Sequence, residues 1–160
     1  FSNFYAQTEK DAFVLMEALA AEFAGFNDAP VYKGNAVYFY KKTQVILADF
    51  VYSGEKITNV DEILGFADYK IPAVLRTLGI LKYNEALSQK VDAHVEIREA
   101  SEMEIEIRAN MLFASYLAVE KLRSRFPKLN YLDFVGILWL DSQDKSKFNQ
   151  PYHLTKTVYY

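Results

Sequence analysis

The sequence predicts a mainly α-helical fold with one small β hairpin. Three observations predict this fold. Apolar residues recur at the spacing of amphipathic helices over most of the chain. Capping residues and the helix breakers Pro and Gly mark the ends of these segments. A glycine turn between two short runs of β-branched and aromatic residues indicates a single hairpin.

The first predicted helix covers residues 9–26. Thr8 is placed to cap its first turn, with Asp11 three residues further on. Pro30 follows its end, since proline cannot continue a helix. One face carries an apolar stripe with helical spacing, formed by Leu15, Leu19, Phe23 and Phe26.

Residues 31–39 are predicted to form the hairpin, with Lys33, Gly34 and Asn35 in its turn. A two-stranded ribbon is only marginally stable alone, so we expect it to lie on the helices. The next helix covers residues 40–52 and ends at Ser53 and Gly54. One further helical turn is expected after Asn59.

Two short helices are predicted next. Pro72 suits the first turn of a helix because its missing N–H has no partner there, and this helix ends at Gly79. Asn84 is a good cap for the second. The connection through Leu78, Gly79 and Ile80 is typical of a helix–hairpin–helix.

The longest predicted helix covers residues 101–126. Ser101 and Glu104 have the spacing of a capping box, and Pro127 ends the helix. Glu104 and Arg108 lie four residues apart, so a surface ion pair is expected. Another apolar helix is predicted over residues 131–140, and the tail, residues 151–160, is expected to be extended.

The composition excludes several classes of site. The 160 residues suit a single domain with a substantial core. There is no cysteine, so disulfides, thiol nucleophiles and zinc–thiolate sites are excluded. The only two histidines, His94 and His153, are far apart in sequence and exclude a three-histidine metal site. No nucleotide-binding glycine motif or zincin helix is present, so we predict neither metal nor cofactor.

Charge and hydropathy restrict the partners. Eighteen basic and 21 acidic residues give a net charge of −3, which argues against a polynucleotide ligand. No apolar run reaches the roughly 18–20 residues that span a bilayer, so no membrane association is expected. The lack of cysteine and of a secretory signal fits a cytoplasmic protein, which is the location we predict.

Asp68 is the most unusual local feature, since it lies between Phe66 and Tyr69 and just ahead of a helix start. Its commoner role would be to cap that helix. Alternatively, it is a carboxylate in an aromatic-lined pocket that stabilises positive charge or activates water. Lys41 and Lys42 likewise form either a solvated pair or a lysine directed at a phosphate or a catalytic carboxylate.

Two other candidates have a structural interpretation as well. Trp139 on its predicted helix is more commonly a core residue than a stacking platform, and His153 is more commonly a structural hydrogen-bonding group than a catalyst.

Several linked motifs resemble those of the queuosine salvage family, the queuosine 5′-phosphate N-glycosylases/hydrolases. They are FYKKTQ at 39–44, FADYKIP at 66–72, LGILKY at 78–83 and EIEIR at 104–108. Leu138 with Trp139, the Pro-Tyr-His sequence ending at His153 and the final tyrosine pair resemble its last helix and tail. The order and rough spacing of these motifs hold over residues 1–160.

The resemblance implies a fold similar to the helical DNA glycosylases. It also implies hydrolysis of the N-glycosidic bond of queuosine 5′-monophosphate to release queuine for tRNA modification. Asp68 corresponds to the catalytic aspartate of the family, and Lys41 to the lysine beside it. The implied substrate-binding residues are Phe66, Tyr69, Lys42, Lys70, Trp139 and His153.

Family members are about twice as long, and the resemblance begins midway along them. We therefore expect an upstream half of the same protein to complete the base pocket. Two other functions stay open. One is a nucleic-acid-binding or DNA-glycosylase-like module built on the helix–hairpin–helix. The other is a catalytically silent interaction domain in which Asp68 only caps a helix.

Overall fold

A computed structural model describes Thr8 and residues 10–160. Within these residues the protein is mainly helical, with one two-stranded antiparallel hairpin, as predicted. The helices are α1 (Ala12–Glu22), α2 (Lys41–Tyr52), α3 (Ile71–Thr77), α4 (Glu85–Asp92), α5 (Glu102–Leu122) and α6 (Tyr131–Asp141). The strands are β1 (Val31–Tyr32) and β2 (Asn35–Ala36), and single 3₁₀ turns cover Ala24–Phe26 and Val60–Glu62.

Helix α1 begins later than predicted. Its cap is Asp11, whose side chain accepts hydrogen bonds from the Phe13 and Val14 N–H groups, so the assignment of Thr8 as the cap is wrong. Lys10 has a left-handed backbone (φ 55°), which interrupts any helix through it. Residue 9, where the helix was predicted to start, lies outside the described residues. Phe23, predicted on the buried face, is the C-terminal cap and is exposed.

The hairpin is shorter and tighter than predicted. Lys33 and Gly34 both have positive φ, which closes a two-residue turn. Asn35 therefore pairs with Tyr32 in the ladder instead of lying in the turn. Residues 37–39 leave the ribbon, and Phe39 enters the core at 1% exposure.

The two short helices in the middle of the chain, α3 and α4, begin where the sequence predicts. Pro72 lies in the first turn of α3, and Gly79 has φ +71° just after this helix ends. Asn84 caps α4 by accepting the Leu87 N–H. The 3₁₀ turn at Val60–Glu62 confirms the helical turn expected after Asn59.

Helix α5 begins as predicted, with Ser101 as its cap, but its capping box is incomplete and it ends earlier than predicted. Ser101 Oγ accepts the Glu104 N–H at 3.4 Å, but the Glu104 side chain turns to Arg108 and Tyr160, so the capping box is only half formed. The helix ends at Leu122, and Phe126 is 48% exposed on the segment that follows.

The largest core cluster lies where α3, α5 and α6 pack together. Phe66 and Ala67, from the loop before α3, are buried in it beside Val135 of α6. Burying each large apolar side chain contributes on the order of 2 kcal/mol, so this loop is held by the same burial that holds the helices. A second cluster joins α1 to α2, and a third joins α4 to the start of α5.

Gly65 allows the loop to pass directly against α6. It has φ +93°, and a Cβ there would lie 2.7 Å from Val135 Cγ2.

No described helix is both long enough and apolar enough to cross a membrane.

Candidate active site

A groove of about 1090 Å³ lies between α2, the loop before α3, the segment after α5, and α6. Most of its lining is apolar, which is typical of a pocket that binds a small organic molecule. The lining residues are Lys41, Val45, Ala48, Asp49, Tyr52, Phe66, Asp68, Arg125, Phe126, Pro127, Lys128, Leu129, Asp133, Gly136, Ile137, Trp139 and Leu140.

Asp68 lies in the groove wall and is only 3% exposed. Its Oδ1 accepts the Lys70 backbone N–H at 2.9 Å, at the start of α3. Its Oδ2 lies 3.2 Å from Lys41 Nζ. One oxygen therefore supports the helix start, and the other belongs to an ion pair at the groove.

Lys41 is the first residue of α2, and its side chain is 16% exposed. At 3.2 Å from the carboxylate, its ammonium group forms an ion pair with Asp68. The two residues predicted to be catalytic are thus brought together, although 26 positions separate them in sequence.

The six predicted substrate-binding residues divide into two groups. Phe66 and Trp139 line the groove. Trp139 is 37% exposed, so its interpretation as a core residue is wrong. The remaining four residues, which lie outside the lining, are Tyr69, Lys42, Lys70 and His153.

Lys70 Nζ lies 5.9 Å from the centre of the Trp139 ring, which lines the groove, and donates to Gln143 Oε1 at 3.1 Å. Lys42 Nζ lies 5.8 Å from the Phe26 ring.

Tyr69 and His153 pack beside the chain tail. The Tyr69 ring contacts Tyr152 at 4.9 Å between centroids. His153 is 2% exposed, and its Nε2 lies 3.3 Å from the Tyr160 hydroxyl. Burial, together with the positive charge of Arg108, lowers the pKa of His153 to about 4, so the ring is neutral near pH 7.

The ion pair between Glu104 and Arg108 is not on the surface, so that prediction is wrong. Both side chains are at most 2% exposed, and Asp28 joins them. Arg108 donates to both oxygens of Asp28 and to Glu104 Oε1. Local helical spacing does not reveal this burial, and Asp28 reaches Arg108 from 80 positions away in the sequence.

Sequence reasoning missed most of the groove wall, although the signal was present. From Lys41, the positions i+4, i+7, i+8 and i+11 on α2 are Val45, Ala48, Asp49 and Tyr52, and all of them line the groove. These spacings place all four residues on the same face of α2 as Lys41.

Helix α6 supplies the opposite wall in the same way, through Asp133, Gly136, Ile137 and Leu140. Desolvation of its hydroxyl beside α6, with a further contribution from Asp133, raises the pKa of Tyr52 to about 12 although the residue as a whole is 57% exposed. The hydroxyl therefore stays protonated. Gly136 leaves room for that hydroxyl, since a Cβ there would approach it to 3.1 Å.

No group of three or more metal-ligating side chains that could hold a metal ion occurs among the described residues. The arrangement instead offers a lysine-paired carboxylate beside an apolar groove.

Comparison with known proteins gives consistent results. The profile of the family described as queuosine salvage protein matches residues 1–160. A queuosine 5′-phosphate N-glycosylase/hydrolase from Sphaerobacter thermophilus is 35% identical over all of this chain and 51% of its own length. The protein of the same name from Dictyostelium discoideum is 34% identical over 93% of this chain and 48% of its own. The chain spans about half the length of the curated relatives it matches.

Proposed function

Because the chain belongs to the queuosine salvage protein family, we propose that it hydrolyses the N-glycosidic bond of queuosine 5′-monophosphate and releases queuine. The observation that carries this proposal is the buried Asp68 carboxylate, 3.2 Å from Lys41 Nζ in the wall of an apolar groove. Relatives that bear the name of this activity support the choice of substrate.

The chemistry requires a fixed negative charge beside the ribose. As the bond between C1′ and the base breaks, positive charge develops on the sugar, as it does in glycoside hydrolysis. A preorganised carboxylate stabilises that charge most effectively where water is largely excluded. Asp68 meets this requirement, since it is buried and held through its backbone-bonded oxygen.

In the proposed reaction, the oxygen of a water molecule held by Asp68 bonds to C1′. The bond between C1′ and the base nitrogen breaks, and its electron pair goes to the base. The water proton passes to the departing base, giving queuine and ribose 5-phosphate. Queuine is a 7-deazapurine without N7, so hydrogen bonds elsewhere on the base must help it to leave.

The remaining site residues serve binding in this proposal. Phe66 and Trp139 form apolar walls for the base, as their place in the groove lining supports. Lys70 is a candidate for the 5′-phosphate at the Trp139 end of the groove. Lys42, Tyr69 and His153 stay predictions from the family motifs.

We further propose that residues 1–160 form one catalytic domain of the helical DNA-glycosylase type, located in the cytoplasm. The two helices α3 and α4, joined through the Gly79 turn, support this comparison. An upstream half of the same protein would cover the open side of the groove, where Tyr52 and Leu140 are 57% and 65% exposed. The net charge of −3 supports a nucleotide over a polynucleotide as the ligand.

The test is to substitute Asp68→Asn in the purified full-length protein, which includes the proposed upstream half. This change retains the shape of the side chain and removes its charge. We expect release of queuine, measured by mass spectrometry, to fall by about 10²–10³-fold. The variant should remain folded at the assay temperature, with a lower thermal unfolding midpoint because the ion pair with Lys41 is lost. Asp141→Asn, an exposed site at the end of α6, makes the same charge change outside the groove and serves as control. Near-normal turnover by the Asp68 variant would refute the proposal.

A further inference from the structure

We propose that Arg108 is a positioning residue that, through Asp28, holds Lys41 against Asp68. This inference rests on the proposed function, because it assigns Arg108 a part in the same reaction. Arg108 lies on α5, outside the groove lining, and would act only through the residues that it holds.

The first step of the argument is the contact between Arg108 and Asp28. The guanidinium donates through Nη1 to Asp28 Oδ1 at 3.0 Å and through Nη2 to Oδ2. The Asp28 Oδ2 atom also accepts the backbone N–H of Lys41 at 3.4 Å. One buried carboxylate therefore binds both Arg108 and the first residue of α2.

The second step concerns the backbone just before Lys41. Tyr40 has a left-handed conformation (φ 45°), which is unfavourable for a bulky residue and persists only where its surroundings enforce it. The Asp28 carbonyl enforces it by accepting the N–H groups of Phe39 and Tyr40 at 3.0 and 3.1 Å. Arg108 Cζ also lies 4.0 Å from the centre of the Phe39 ring. The direction in which α2 presents Lys41 thus depends on this cluster.

The third step concerns the segment that follows Asp68. Arg108 Cζ also lies 4.4 Å from the centre of the Tyr160 ring. The Tyr160 ring is in turn 6.3 Å from the ring of Tyr69, which directly follows Asp68. Arg108 therefore contacts the segment before Lys41 directly and the segment after Asp68 through one aromatic ring.

A purely structural role for this cluster is the alternative. Buried ion pairs are costly to desolvate, and apolar residues of similar volume often replace them without loss of stability. A structural role predicts that changing Arg108 weakens the fold and lowers activity whether or not Lys41 is present. A positioning role instead predicts that changing Arg108 lowers activity only when Lys41 is present.

The test substitutes Arg108→Lys, which retains the positive charge but removes the planar fork and the stacking on two rings. We expect kcat for queuosine 5′-monophosphate to fall by about tenfold or more, with KM changed by less than about twofold, because a misplaced group lowers the rate of the chemical step. Arg76→Lys is the matched control, since Arg76 pairs with Asp92 at 3.0 Å and lies 4.6 Å from the Tyr83 ring. A similar fall in kcat for the control would contradict the inference.

A double-mutant cycle then separates the two roles. In the Lys41→Met background, we expect Arg108→Lys to lower the residual rate by less than about twofold, because the residue that it positions is gone. An equal loss in both backgrounds would show that Arg108 acts on the fold as a whole and would overturn the inference. If the Arg108 variant does not fold, Asp28→Asn replaces it in the double-mutant cycle, because it removes the negative charge with which Arg108 forms its ion pair.

A crystal structure of the variant provides a readout independent of activity. We expect the distance from Lys41 Nζ to Asp68 Oδ2, 3.2 Å in the parent protein, to increase by about 1 Å or more, which is enough to change the rate of an oriented reaction. An unchanged distance would overturn the inference. Should the full-length parent protein, with its upstream half, release no queuine, the proposed function fails, and this distance still decides whether Arg108 positions Lys41.

Discussion

Asp68 shows how one side chain serves structure and chemistry together. Its Oδ1 is held by the Lys70 N–H and its Oδ2 by Lys41, so the two interpretations allowed by the sequence each describe one oxygen. A carboxylate fixed in this way needs little reorganisation when positive charge develops beside it. The proposed catalytic power of Asp68 therefore depends on its being anchored at a helix start.

The buried His153 is expected to make the stability of the protein depend on pH. Burial lowers its pKa to about 4, whereas an unfolded chain binds the proton below about pH 6.5. The unfolded state thus binds more protons between these values, and stability decreases as the pH falls through this window. We expect His153 to account for a loss of about 2 kcal/mol between about pH 7 and about pH 5 in urea unfolding.

The control for this pH dependence is the exposed His94. We expect His153→Asn to abolish the loss of unfolding free energy over this window, while His94→Asn retains it. If the His153 variant shows the same acid sensitivity as the parent protein, protonation of that ring is not its origin.

At the scale of elements, the loop before α3 decides where the site lies. Phe66 and Ala67 are buried between α3 and α6, and Asp68 follows them directly. The loop approaches α6 closely because Gly65 has no side chain to collide with Val135. The position of the carboxylate is therefore set by packing between a loop and a helix that follows about 60 residues later in the chain.

Gly65→Ala tests that packing. We expect a loss of about 2–4 kcal/mol in unfolding free energy, because the new Cβ adds a collision with Val135 to the cost of positive φ. Gly79→Ala is the matched control, since Gly79 also has positive φ but a Cβ there would meet nothing within 4 Å. Its loss should be about 1–2 kcal/mol. Equal losses in the two variants would show that the approach to Val135 is not tight.

At the scale of the whole molecule, the groove joins elements from most of the chain. Helices α2 and α6 supply opposite walls, and the segment after α5 brings Arg125 and Lys128 to its edge. Exposed apolar residues remain along this side of the protein, Ile137 and Leu140 among them. Such a surface is suited to contact with further protein, as the proposed upstream half would provide.

The single tryptophan of the chain makes occupancy of the groove measurable. Trp139 lines the groove and is partly exposed, so a bound base should change its fluorescence. We expect a saturable change in Trp139 emission on titration with queuine. In Trp139→Phe this signal should be absent. A change that grows linearly with queuine, without saturation, would contradict binding beside Trp139.

Much of the helical layout was predictable because local signals specify it. Pro72 and Asn84 mark the starts of α3 and α4, and the structure confirms both. The failures occur where non-local contacts compete with local rules. Glu104 has the spacing of a capping-box residue, yet its side chain turns to Arg108 and Tyr160.

The candidate site was predictable in part. Motif resemblance selected Asp68 and Lys41 as a pair, and the ion pair between them confirms that they lie together. The groove-lining residues Asp49, Tyr52 and Asp133 were not predicted. They lie on two helices, and the sequence does not show that these helices face a common groove.

The sequence alone determined that the chain is mainly helical, where most helices begin, and which family it resembles. Caps, proline, glycine and apolar spacing act over a few residues, so these features can be found without the fold. Only the tertiary structure decided that Asp28 enters the interior to meet Arg108 and that Lys41 lies against Asp68. The physical reason is that a buried charge requires a partner, and the partner's identity depends on how distant segments pack.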